Sequence, residues 1–181
     1  MLSDKKIYKK VYNHLFLIMP SHSIASLKKN IFKKHHEEKI FDELNVDSLT
    51  SIYEHVKNNS EEKESSLWVM DDVAASLKDS SIQKILKEMI YNRRHLKLSI
   101  FMLVQSYSTI PKMIRRTINN IFLWKCSKNE FEMIFEELFE NKRDMTDKIL
   151  KLINEPHKWM LLNFPSQRIF IDFDEVIVNE N

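Results

Sequence analysis

The stretch Ser66-Leu67-Trp68-Val69-Met70-Asp71-Asp72 decides the fold. Four apolar residues follow one another without a polar break and stop at two adjacent carboxylates. An unbroken apolar run suits a strand covered on both faces, as in a parallel sheet packed between helices. The two acids then lie at the strand's carboxyl end, where open α/β sheets bind their ligands. There the first carboxylate can orient toward Mg²⁺ and the second can polarise an attacking water. Taken alone, such a run is more commonly a buried strand that ends in a solvated Asp-Asp turn and carries no chemistry.

Working outward, other apolar runs frame this one. Upstream, Asn13 to Met19 holds Leu15-Phe16-Leu17-Ile18-Met19 and is closed by Pro20, which predicts a second buried strand. Residues 1–12 form a basic lead-in, and Ser23 to about Lys34 reads as a basic helix or loop. His35 and His36 are adjacent and cannot share one helical face as metal ligands do, so they read as surface residues. Asp47 or Ser48 is expected to cap a helix bearing Leu49, Ile52, Tyr53 and Val56, followed by a polar loop over Asn58 to Ser65.

Downstream, Ser80-x-x-Gln83 has the pattern of a capping box. It opens a helix with Ile82, Ile85, Leu86, Met89 and Ile90 on one face. Leu98 to Gln105 predicts a strand ending in an amide, and Pro111 a short basic helix with Lys112, Arg115 and Arg116. Asn120 to Cys126 reads as another strand, and Ser127-x-x-Glu130 as a second capping box. A helix is expected over about Met145 to Asn154. Trp159–Phe164 and Arg168–Phe173 form a hairpin joined by Pro165-Ser166-Gln167, before a frayed acidic tail. Strands alternating with helices make the fold class α/β: a mostly parallel sheet flanked by helices, with a C-terminal β-hairpin.

Composition bounds the rest. At 181 residues, with 43% hydrophobic and 30% charged residues, the chain fits one globular domain with a real core. No apolar run approaches the roughly 18 residues of a membrane span, and the start lacks a signal peptide's apolar core. The single cysteine, Cys126, excludes an internal disulfide and fits a reducing compartment. A net charge of +2 is too small to argue for nucleic acid by itself. The lysine clusters at 5–10 and 28–34 read as solvated faces or as phosphate-contacting patches. There is no glycine, where average usage of about 7% predicts roughly a dozen. A phosphate-cradling P-loop needs glycines so that backbone N–H groups can close on phosphates, and this chain has none.

The order of parts resembles the FtsK–HerA superfamily of P-loop ATPases. Within it, the chain is similar to the poxvirus-type DNA-packaging ATPases of large nucleocytoplasmic DNA viruses. The matching stretches are Leu67-Trp68-Val69-Met70-Asp71-Asp72, Asn92-Arg93-Arg94-His95-Leu96-Lys97-Leu98-Ser99, Phe101-Met102-Leu103-Val104-Gln105 and Ile114-Arg115-Arg116-Thr117-Ile118-Asn119-Asn120. They fall within about residues 13 to 140.

The resemblance implies Asp71 as the Walker B carboxylate facing Mg²⁺, Asp72 as the water-activating acid and Gln105 as the sensor of the γ-phosphate or lytic water. Arg93 or Arg94 would be an arginine finger for a neighbouring subunit of a ring, or else a solvated or DNA-contacting residue. Lys112, Arg115 and Arg116 would contact DNA phosphates or pair with acids. ATP and Mg²⁺ are the family's cofactors. Its partners are double-stranded DNA and further copies in a ring, and its setting is the viral factory in the host cytoplasm, or the virion.

The family's first strand and P-loop should precede Asn13 and are absent. The expectation is therefore a single truncated ATPase-like domain over 1–181: lead-in 1–12, sheet core 13–126, C-terminal helices and hairpin 127–181. It would be the C-terminal portion of a genome-packaging ATPase, inactive alone and completed by an upstream P-loop-bearing chain. The alternatives are a degenerate non-catalytic subunit and a nucleic-acid-binding α/β module. The P-loop strand would normally lie between 98–105 and 120–126, so the gap is left open, filled by another segment or closed by pairing of 98–105 with 120–126, and direct or near-direct closure is expected.

Overall fold

The structure, a computed structural model, describes residues 11–26, 28, 32, 35–139, 146–153 and 158–176. The basic lead-in through residue 10, part of the lysine cluster at 28–34 and the last five residues lie outside it. The chain divides into two compact units, residues 1–105 with 109–111 and residues 106–108 with 112–181.

The first unit is built on a four-stranded parallel sheet of β1 (His14–Ile18), β2 (Ile40–Phe41), β3 (Ser66–Asp71) and β4 (Leu98–Leu103), in the order β2-β1-β3-β4. The deciding stretch is thus an interior strand, flanked in parallel by β1 and β4. Its side chains alternate between two apolar layers. Leu67 and Val69 join Leu17, Met19 and Phe32 on one face, with Leu15, Ile24, Ile40 and Phe101 packed around them. Trp68 and Met70 are level with Phe16 and Ile18 on the other face, and all four are fully buried.

On that second face the ring of Phe16 lies 5.8 Å from His55 of α2 (Val46–Glu61), which buries Leu49, Ile52 and Val56. α2 is joined to α3 (Ser80–Asn92) through a hydrogen bond from Tyr53 Oη to Glu88 Oε1 at 2.7 Å. Ile82, Leu86, Met89 and Ile90 form α3's buried stripe. A short α1 (Ser21–Ser26) follows Pro20.

Several local expectations are corrected here. α2 is capped by Asn45, which shares a reciprocal box with Ser48, and not by Asp47 or Ser48. The helix also runs to Glu61, into the stretch expected to be loop. Asp79, not Ser80, caps α3: its Oδ1 accepts from the N–H groups of Ser81 and Ile82, while Gln83 donates to the carbonyl of Leu77. An Asp one residue earlier offers a charged acceptor to the same orphan donors and wins the position. His35 is half-buried and donates from Nε2 to the carbonyl of Leu15 at 2.8 Å, so it docks its segment on β1 and is no plain surface residue.

The second unit holds an antiparallel sheet of β5 (Asn120–Leu123), β6 (Met160–Asn163), β7 (Arg168–Ile171) and β8 (Asp174–Glu175), in that order. The expected hairpin is β6–β7, and part of the tail expected to fray returns as β8. One face is a continuous apolar row, with Ile121 opposite Leu162 opposite Ile169 and with Met160 fully buried beside it. The helices are α4 (Lys112–Arg115), α5 (Lys128–Leu138) and α6 (Thr146–Leu152). α5 contributes Phe131 and Phe135, 4.5 Å apart by ring centroids. Phe135, Phe139 and Phe164 continue that aromatic column.

The expected closure of 98–105 onto 120–126 does not occur. β4 is the last strand of the parallel sheet, and β5 pairs antiparallel with β6 in the other. The physical reason is side-chain matching. Against β6, every residue of β5 meets a cross-strand partner of its own kind, Ile121 with Leu162, Phe122 with Leu161 and Asn120 with Asn163.

Candidate functional site

Asp71 closes β3, and its Cα register partner on β4 is Leu103. Gln105 follows two residues later, past the end of β4, and is exposed. The expected strand to Gln105 therefore stops short, and the amide sits in the turn beyond it. Asp71, Asp72 and Gln105 all lie at the carboxyl end of adjacent strands, where a parallel sheet offers its binding edge.

The two acids differ in setting. Asp71 is partly buried, and burial, with the neighbouring Asp72 charge as second cause, pushes its carboxyl above the ordinary range. A hydrogen bond from the Asp72 backbone offsets part of this. Such a group is poised to gain from a cation. Asp72 is exposed and takes the left-handed conformation, φ 56°. Asp tolerates this region better than most residues with a Cβ. The backbone then continues into buried Val73 and Leu77, which leaves Asp72 exposed at the end of the strand. Among the described residues no cluster of three or more His, Cys, Asp or Glu could hold a metal, so an ion here would rest on the two aspartates and water.

Arg93 and Arg94 occupy the other end of the sheet. They follow α3, and the carbonyl of Arg93 accepts from Leu98 N–H at 2.8 Å, where Leu98 is level with Ser66 at the start of β3. One strand length of about 16 Å separates them from Asp71. Arg93 Nη1 donates to the carbonyl of Ile90 at 3.0 Å, capping the helix end, while Arg94 is exposed.

In the second unit, Lys112 and Arg116 are exposed, but Arg115 is engaged within the fold. Its Nη2 pairs with Glu137 at 3.1 Å, its Nη1 reaches Met133 Sδ, and its guanidinium lies 5.0 Å from the ring centroid of buried Tyr107. Of the two sequence readings for Arg115, this is the pairing with an acid. Tyr107 Oη donates to Glu137 Oε2 at 3.1 Å, and burial with that carboxylate holds its phenol well above the usual range. This Tyr107–Arg115–Glu137 cluster was not read from the sequence. Arg115 lies in a stretch that carries the family resemblance, but Tyr107 and Glu137 carry no motif, and Glu137 stands on a separate helix.

The family model described as Poxvirus A32 protein matches residues 2–176. No curated protein matches the chain. Among solved structures, the genome packaging NTPase B204 from Sulfolobus turreted icosahedral virus 2, in complex with ATP-gammaS, superposes with a TM-score of 0.66 at 14% identity. That match covers 94% of this chain and 85% of the other. B204 from Sulfolobus Turreted Icosahedral Virus, a DNA-packaging ATPase, gives 0.65 at 12% identity, covering 92% and 83%. At such identities the superpositions speak for the fold: the packaging-NTPase fold is this chain's fold. The family match extends over nearly its whole length, and the chain belongs to the Poxvirus A32 protein family.

Proposed function

We propose that this chain supplies the metal- and water-handling part of a viral genome-packaging ATPase that translocates double-stranded DNA. The carrying observation is the register of β3 and β4, which brings Asp71, Asp72 and Gln105 to one edge of a parallel sheet. In this reading Asp71 would hold Mg²⁺, Asp72 would accept a proton from the attacking water, and Gln105 would bond the γ-phosphate or that water. When bound, Mg²⁺ neutralises phosphate charge. The chain's own part is to hold two carboxylates and an amide where that charge changes.

The triphosphate itself needs a backbone anion nest and a lysine, which a glycine-free chain does not offer in P-loop form. We infer that residues other than these 181 provide it. The state of β4 supports this. Leu98, Ile100 and Met102 alternate with Ser99, Phe101 and Leu103, so one face is wholly and the other largely apolar, yet β4 is the last strand of its sheet among the described residues. The FtsK–HerA likeness puts a P-loop strand on that side.

The distance from Arg93 and Arg94 to Asp71 favours a finger given to a neighbouring copy in a ring over one acting within the chain. Lys112 and Arg116, both exposed, are the DNA-contacting candidates of the basic segment. A viral factory or virion is the setting this function implies.

The test is ATP turnover by the chain mixed with, or fused to, a P-loop-bearing segment. Asp72→Asn and Gln105→Ala should each abolish turnover and leave nucleotide binding within about twofold, since in this reading the anion nest and lysine of the P-loop-bearing segment supply most of the binding. Parent rates in both variants would reject the assignment. A non-catalytic DNA-binding role predicts instead salt-dependent DNA binding that no nucleotide alters.

A further inference from the structure

His14 opens β1, and its ring is engaged at both nitrogens. Nε2 meets the carboxylate of Glu64, in the turn before β3, and Nδ1 lies 3.0 Å from Lys39 Nζ. An ammonium has only donors, so Nδ1 accepts from Lys39. The single proton of a neutral ring then sits on Nε2 and is donated to Glu64. The bonds run one way, from Lys39 through His14 to Glu64.

This chain of bonds ties together the approaches to three strands of the parallel sheet. Lys39 ends the 3₁₀ turn Glu37–Lys39 and directly precedes β2, an edge strand of two half-buried residues. The same segment is held on β1 by His35 Nε2 on the Leu15 carbonyl and by Met19 N–H donating to the Phe41 carbonyl at 3.0 Å. The His35 bond survives protonation, because its Nε2 donates from the neutral and the charged ring alike. The Lys39 bond does not. A second proton on His14 takes the lone pair that accepts from Lys39 and sets an imidazolium against an ammonium, while the contact with Glu64 becomes a full ion pair.

The surrounding charges come from several elements. From α2, the ring of His55 lies 5.8 Å from that of Phe16, which shares a face of β1 with His14. Before β4, Lys97 Nζ donates to the carbonyl of Lys63 at 2.7 Å, one residue from Glu64. Lys39 Nζ also lies 5.8 Å from the Phe16 ring centroid, and Glu37 and Glu38 precede it in the turn.

We propose that Lys39, His14 and Glu64 form a pH-sensitive clasp, which holds the amino end of β2 on the sheet near neutral pH and releases it when His14 takes a second proton. Imidazole is the side chain whose charge changes between about pH 5 and 8. The clasp lies at the amino edge of the sheet, at the opposite end of the strands from Asp71, so it acts on the edge strand alone.

Ring-nitrogen chemical shifts of His14 and protection of the Met19 amide, corrected for intrinsic exchange, test this on the full chain. From about pH 7.5 to 5 the ring should pass from the Nε2–H tautomer to the doubly protonated form. Protection at Met19 should fall about fivefold in step, as loss of one modest hydrogen bond implies. His14→Gln offers an acceptor and a donor that do not titrate, and should keep Met19 protected throughout. Lys39→Met should hold protection at the lower value across the whole range.

A neutral ring with its proton on Nδ1, or one still singly protonated at about pH 5, would overturn the proposal. So would protection at Met19 that stays within about 1.5-fold while His14 becomes charged. A fall of the expected size that persists in His14→Gln would place the titration at His35, His36 or His55, and would overturn it too.

Discussion

Asp71 is level with Leu103 across the parallel ladder of β3 and β4, so the β4 chain continues two residues past the acid before it reaches Gln105. That offset leaves a step at the sheet edge. The carboxylates come first along the ladder, and Gln105 follows past the end of the adjacent strand.

The raised Asp71 carboxyl fixes the sign of a pH effect. Its folded pKa lies above the unfolded value, so the native state binds the extra proton between the two. Stability contributed by the protonated form is present below the unfolded value and lost as pH rises through the folded one. Asp71→Asn should therefore raise the melting temperature at pH 7, and the advantage should shrink toward pH 3. Thermal melts across that range check it. A lower melting temperature at pH 7 would mean that the carboxylate is stabilised in the fold.

A chain without glycine must put other residues in left-handed turns. Lys63 does so at φ 64°, just after α2, and is exposed. The left-handed region costs an L-residue about 1 kcal/mol that glycine does not pay, partly offset by glycine's greater unfolded entropy. Lys63→Gly should stabilise the chain by about 0.5 kcal/mol, and Lys63→Ala should change little. Urea unfolding measures both. A loss of stability in Lys63→Gly would show that the lysine side chain does more than cap a turn.

Arg115 and its basic neighbours Lys112 and Arg116 should separate cleanly. The Arg115 side chain is 12% exposed and that of Glu137 22%, so removing one partner strands a mostly buried charge. Arg115→Ala should cost about 3 kcal/mol, with Arg115→Lys an intermediate case because it forfeits the stacked, forked geometry. Lys112→Ala and Arg116→Ala should leave stability within about 0.5 kcal/mol. If they contact DNA, each should also lower the log–log salt slope of binding by about one. Denaturant titration and salt-dependent binding isotherms give both answers. Equal stability losses at all three positions would contradict the burial pattern.

The parts of the fold legible in the sequence were those with an unbroken apolar run: β1, β3 and β4 were found within a residue or two, and their parallel order followed. β5 misled for a definite reason. Asn120-Ile-Phe-Leu reads as a buried parallel strand, but its partner β6 begins at Met160, beyond two helices, and no local signal announces an antiparallel match so remote. β2, two residues long, is too short for any periodicity. The turns at Lys63, Asp72, Lys97, Gln167, Asp172 and Phe173 all take positive φ without the glycine that would flag them. At the site, adjacent Asp71 and Asp72 were visible as a pair. The bond from the Ser106 hydroxyl to Glu130 was not, because Glu130 sits in a sequence pattern that points its side chain back at Ser127.

The last prediction concerns nucleotide binding by these 181 residues alone. Tight binding of a triphosphate requires successive backbone N–H groups turned onto one anion, which arises where right- and left-handed residues alternate in a loop. Among the described residues the one left-handed position at the carboxyl edge of the parallel sheet is Asp72, which adds a negative charge beside Asp71. Lys63 and Lys97 are at the amino edge, by the starts of β3 and β4, and Asp172 and Phe173 belong to the β7–β8 turn. Two carboxylates without a nest or a P-loop lysine repel a triphosphate until Mg²⁺ intervenes. Calorimetric titration with Mg-ATP should therefore give a Kd weaker than about 1 mM, equivalent to less than about 4 kcal/mol of binding. Adding the P-loop-bearing segment should bring it into the micromolar range. A micromolar Kd for the chain alone would require a phosphate cradle built without glycine, and would overturn the division of labour proposed for the site.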